Sequence, residues 1–146
     1  MKKIFFLVVA VLTFGLIAVA QCDKKVTWTA SKGEFVDASG NVEQTMNEKI
    51  VVEMDKKSIV LKHGDKEDDA LTGEIKELTC EWKVPYKNGK TGFKSQLAEP
   101  NGDMKNAAIT IEGIEGKIII TVDVTDPSGS GDNKKIKIYV DSYKES

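Results

Sequence analysis

The chain of 146 residues contains no arginine; its positive charge comes from lysine alone, set against 23 Asp and Glu for a formal net charge of −2. Arginine is the planar, two-pronged donor that reads phosphates and base edges. An acidic chain without it is a poor fit to nucleic acid or to an anionic membrane surface. Histidine is almost as scarce, with His63 alone. One imidazole, with no second histidine and no cysteine close to it in sequence, cannot assemble a transition-metal site or an obvious nucleophile–base pair. Phosphate-loop, Gly-x-Ser-x-Gly and Ser/His/Asp patterns are also missing. No cofactor is expected, and the chain reads as non-catalytic. Only the abundance of carboxylates leaves a paired-acid hydrolase open on residue types. Long helical periodicity is absent beyond residue 20, which disfavours crossover helices and parallel strands.

What is present begins with an export pattern. Met1-Lys2-Lys3 is a positive start, Ile4 to Ala20 carries no charge, and Ala18-Val19-Ala20 has the small-x-small form of a cleavage site. Residues 1–20 therefore read as a signal peptide and residues 21–146 as a single all-β domain, secreted or periplasmic. As a helix the uncharged run would reach ~26 Å, short of a ~30 Å hydrocarbon core, which argues against an uncleaved anchor. Cleavage leaves 126 residues and removes Lys2 and Lys3, taking the charge from −2 to −4. The alternative is a membrane-anchored lipoprotein acylated at Cys22, although Gln21 stands where a bacterial lipobox wants Gly, Ala or Ser. A membrane is a partner only in that case.

Cys22 and Cys80 are the only cysteines. In an exported chain an even count reads first as a disulfide. Closing a loop of about 59 residues is worth roughly 4 kcal/mol in the chain-entropy model. The competing readings are two free thiols, or a lipidated Cys22 with Cys80 simply buried.

The rest of the chain is written in period two. Val26 and Trp28 alternate with threonines in a first strand over residues 24–30, and Phe35-Val36 reads as a separate short apolar piece before the turn cluster at 37–41. Leu71, Gly73 and Ile75 share one parity whereas Leu78, Cys80 and Trp82 share the other, which predicts a turn or bulge around Lys76-Glu77. Asn88-Gly89 suits a type I′ hairpin turn. Ile118, Ile120, Val122 and Val124 make the cleanest stripe. Turn signals recur every 8 to 12 residues or so, giving about eight to ten short strands in one antiparallel meander. That meander is curled or closed into a barrel, with a β-sandwich as the alternative.

An export signal, an early strand carrying a tryptophan (Val26-Thr27-Trp28) and successive hairpins resemble the lipocalin-like (calycin) barrels, and more loosely the small exported β proteins of bacteria. The lipocalin resemblance implies a barrel with a ligand inside it. Trp28, Trp82 and Phe93 are the aromatic candidates for such a pocket, although tryptophans beside a disulfide more often serve as core. Asp126, Ser128, Ser130 and Asp132 place oxygens at alternate positions of a Gly-rich loop, a pattern that could hold a hard cation but lacks a closing bidentate acid. Asp65, Glu67, Asp68 and Asp69 are the densest acids and match no calcium-loop spacing; a solvated loop is the favoured reading of both groups, since charge runs are usually exposed faces.

The expected function is an exported, non-catalytic β-domain binding a small or apolar ligand. The alternative is a structural or interaction domain of the bacterial envelope or surface, with an envelope protein as partner. Mass spectrometry of the exported protein without reductant is expected to show a chain starting at Gln21 with a two-hydrogen deficit. A diacyl mass on Cys22 would replace that picture with the anchored one.

Overall fold

Alternating side chains leave each strand one face to bury, and the chain meets that demand by rolling a single sheet onto itself. The computed structural model describes residues 22–125 and 133–146. The strands are β1 (Val26–Val36), β2 (Val42–Met46), β3 (Ile50–Met54), β4 (Ser58–His63), β5 (Leu71–Val84), β6 (Asn88–Ala98), β7 (Met104–Ile114), β8 (Lys117–Thr125) and β9 (Lys134–Glu145). One 3-10 turn, Glu67–Asp69, interrupts the link between β4 and β5. Neighbours pair antiparallel from β3 through to β9, and β1 pairs with both β3 and β9, so eight strands close into a barrel. The strand β2 stays outside that closed ring. It pairs with the C-terminal half of β1, beside β3 on the same edge: Gly33 faces Met46 where Ala30 faces Ile50.

The inward stripes become the core. Val52, Ile59, Ile109, Ile111, Ile120, Val122 and Ile138 are all at most 2% exposed. Full burial of such a side chain is worth roughly 1.5–3 kcal/mol. Cross-strand rows such as Phe93–Ile109–Val122 fill the barrel wall by wall.

Local irregularities bend the sheet where the sequence changes parity. The bulge expected around Lys76-Glu77 is there: the β5–β6 register shifts between Lys76 and Thr79, and Glu77 sits at φ 54°. Phe35-Val36 proves not to be a separate piece. It is the end of an 11-residue β1, whose pairing with β9 shifts on both sides of Ala30, so the alternation restarts without the strand ending. The hairpin expected at Asn88-Gly89 also moves. The chain reverses at Val84–Lys87, closed by Lys87 N–H donating to the Val84 carbonyl (3.1 Å), with Pro85 presetting the turn and Tyr86 at φ 54°. Asn88 and Gly89 open β6 instead. Gly89, at φ 141°, lies so close to the Glu81 carbonyl and Trp82 Cα that no side chain fits. The type I′ signature belongs to Glu115-Gly116, at φ 53° and 81°, between the paired residues Ile114 and Lys117.

In an up-and-down meander successive connections alternate between ends. Short ones (55–57, 85–87, 115–116) collect at one end and longer ones (37–41, 64–70, 99–103) at the other. The short-loop end is closed. Cys22 and Cys80 form a disulfide across it, with Cα atoms 6.3 Å apart. Thr91 is buried beneath; its hydroxyl accepts from Trp82 Nε1 (2.7 Å) and donates to Cys22 Sγ (3.3 Å), since a disulfide sulfur has no hydrogen. The Trp82 ring lies over Gly113, where an added Cβ would sit 2.9 Å from Cζ3. Tyr86 packs its ring against Trp28, Trp82 and Tyr143 at 6.1, 5.3 and 5.0 Å. Burial, then the nearby Glu145 and Tyr143, pushes its phenol up to about 12.

The closing seam has its own outer-face latch. Glu34 accepts from Lys32 Nζ (2.6 Å) and from the Tyr139 hydroxyl (2.6 Å), and Lys32 Nζ lies 5.2 Å from the centre of the Tyr139 ring. The Lys32 contact first, and the Tyr139 hydroxyl next, hold the Glu34 carboxyl below its ordinary value of 4.5.

Two outcomes follow. Replacing both Cys22 and Cys80 by alanine is expected to cost up to about 4 kcal/mol and to lower Tm by roughly 10–20 °C; an unchanged oxidised melt would refute the tether. A carboxyl whose folded pKa is depressed stabilises the fold above its unfolded value and loses that contribution as pH falls through the folded one. Glu34→Gln should therefore be less stable than the parent at pH 7, with the gap closing as pH drops below 4.5. Denaturant melts at stepped pH measure it, and a gap that stays constant to pH 2.5 would sink the latch.

Candidate functional site

The end with the long connections is open. A cavity of about 720 Å³ enters the barrel there, within the range of roughly 300–1,000 Å³ usual for small-molecule sites. Its floor comes from three consecutive strands and one distant in sequence: Ile50 on β3, Leu61 on β4, Leu71 on β5 and Ile138 on β9. Ile50, Leu61 and Ile138 are buried, and Leu61 faces Leu71 across the β4–β5 ladder. Phe35 and Met46, from the paired halves of β1 and β2, extend the apolar wall upward. Leu61 and Leu71 are the inward residues of β4 and β5 nearest the 64–70 connection, and on β9 Ile136 joins the lining between Ile138 and the start of the strand.

The rim is polar. Gln44 lies on β2, Glu48 in the break between β2 and β3, His63 at the end of β4, Asp69 in the 3-10 turn, and Glu99 with Asn101 in the β6–β7 loop. His63 Nδ1 stands 3.6 Å from Glu48 Oε1. Lys62, also at the rim, reaches Glu53 Oε1 at 3.3 Å. Such a cavity can take up an apolar body and hold its polar end at the mouth.

The structure distributes the sequence candidates unevenly. Cys22 and Cys80 are joined, so the Cys22 sulfur is already occupied in this structure and is not free for a lipid. Trp28 and Trp82 come together at the closed end, 2% and 7% exposed, each packed against the Tyr86 ring. Trp82 N–H is satisfied by Thr91, whereas Trp28 Nε1 has no hydrogen-bond partner among the described residues. Phe93 is buried in the wall between Thr91 and Ser95 of the inward β6 stripe. None of the three aromatics lines the open cavity. Asp126, Ser128, Ser130 and Asp132 lie outside the described residues, as does the 1–20 segment. Among the described residues no three His, Cys, Asp or Glu side chains cluster in a way that could hold a metal ion, the acids of 65–69 included.

The cavity residues Phe35, Met46, Ile50, Leu61, Leu71 and Ile138 are not singled out by sequence reasoning, because each looks like ordinary core. No local signal marks them: Leu97, the inward residue nearest the 99–103 connection, is equally apolar and buried and lies outside the cavity.

Comparison with protein-family models, with curated proteins and with solved structures finds no match to this chain.

Proposed function

We propose that this protein is a binding protein: it takes a small, mainly apolar ligand into the open end of its barrel and carries out no chemistry on it. The single observation behind the reading is the cavity of about 720 Å³ with Ile50, Leu61 and Ile138 as its floor and a polar rim. An eight-stranded barrel is wide enough to hold one small ligand when side chains do not fill it. Here they fill one end and leave the other open. The barrel and its early Trp28 support kinship with the lipocalin-like proteins, whose ligands sit inside the barrel. The Cys22–Cys80 disulfide fits an oxidising compartment. With residues 1–20 read as a signal peptide, the protein works as a secreted or periplasmic carrier or sensor of such a ligand.

A second reading, an interaction domain of the envelope, is favoured by β2: among the described residues it pairs with β1 alone, and its Val42 is 51% exposed. A free edge of this kind can accept a strand from a partner.

Titration with N-phenyl-1-naphthylamine separates the two. Saturable, one-to-one binding in the micromolar range is expected, and Leu71→Trp, which fills the cavity from a half-buried position, should weaken it at least tenfold with little change in the melt. A flat titration, or equal affinity in Leu71→Trp, would overturn the carrier reading and leave the edge strand as the functional element.

A further inference from the structure

We infer that the ligand is an amphipathic cation, an apolar body with an amine or ammonium head, and this rests on the open cavity being the binding site. Three carboxylates reach the rim from three different segments: Glu48 from the β2–β3 break, Asp69 from the 3-10 turn and Glu99 from the start of the β6–β7 loop. Asp69 and Glu99 have no ion-pair partner among the described residues, and Glu48 has only the 3.6 Å approach of His63. The one lysine on the lining, Lys62, is held by Glu53. Beneath these acids the surface turns apolar at once, with Leu61, Leu71 and Ile138.

A fatty acid or an alkyl phosphate entering this mouth would bring its negative head against carboxylates. It would also find no arginine anywhere in the chain to receive it. A neutral ligand would meet neither penalty nor gain. A cationic head, by contrast, completes the rim: the carboxylates lie where the head must stop once the apolar body has reached Ile50 and Ile138. Glu48 is exposed and Asp69 and Glu99 are half-buried, so the selectivity is moderate and is weakened by salt.

Displacement of bound N-phenyl-1-naphthylamine by decylamine, decanol and decanoate at pH 7 tests the assignment, because the three share one chain and differ in head charge. Decylamine should bind roughly tenfold more tightly than decanol, with decanoate weakest, and the spread should narrow as salt rises from about 0.01 to 0.5 M, where the screening length shrinks several-fold. The combined variant Glu48→Gln/Asp69→Asn/Glu99→Gln, checked for a parental melt, should bind amine and alcohol alike. If the three ligands compete equally, or decanoate binds best, the cavity stands and the cationic assignment falls. If the probe itself does not bind, the carrier reading and this one fall together. A parental preference for amine in the triple variant would also overturn it, since the rim carboxylates would not be the cause.

Discussion

Pairing of β1 with β9 is the interaction on which the rest of this molecule depends. An open sheet exposes two edges of unsatisfied N–H and C=O groups and leaves its apolar face half wet. Here the ladder from Val26↔Glu145 to Val36↔Lys135 removes both edges along the closed ring and turns the inner face into an interior. The stripes of Ile109, Ile111, Ile120 and Val122 are core only because that seam exists. The seam is braced twice, by Lys32, Glu34 and Tyr139 on the outer face and, at the closed end, by buried Trp28 and Tyr86 with the more exposed Tyr143 against the Tyr86 ring. It also accommodates curvature: the register shifts on both sides of Ala30 bend β1, which pairs antiparallel with β9 along one edge and with β3 and then β2 along the other.

Closure alone does not decide what a barrel does; the filling of its two ends does. At the closed end, two glycines admit Trp82, one hydroxyl serves both an indole and a disulfide, and Tyr86 accepts a left-handed backbone in exchange for a buried ring. At the open end the inward residues are aliphatic, end early, and are followed by acids and amides. The first arrangement spends large side chains on cohesion, and the second leaves volume unspent.

Much of this fold was legible in the alternation of residues, because a half-buried sheet imposes period two on the chain that forms it. The meander, the parity change before Leu78 and the pairing of Cys22 with Cys80 all express local rules or compartment. Two features escaped. The continuity of β1 through Ser31 and Lys32 depends on how β9 pairs with it, and no window of sequence contains both strands. The reversal at Pro85-Tyr86 outcompetes Asn88-Gly89 because Gly89 is needed opposite Trp82 for close approach, a tertiary demand that overrides turn preference. The cavity was the least legible of all. Ile50, Leu61, Leu71 and Ile138 differ from their buried neighbours in position along the barrel axis and not in chemistry.

The sorting of connections by length has a consequence for how such a chain can vary. The connections 37–41, 64–70 and 99–103 open toward the mouth and 55–57, 85–87 and 115–116 cap the sealed base, whereas the three-residue break 47–49 lies between β2 and β3 and brings Glu48 to the rim. Insertions and substitutions in 64–70 or 99–103 reshape the cavity mouth while Trp82, Gly113 and the disulfide keep their packing. Novelty and durability are thus assigned to opposite poles of one sheet, and the mouth can change shape without the base being repacked.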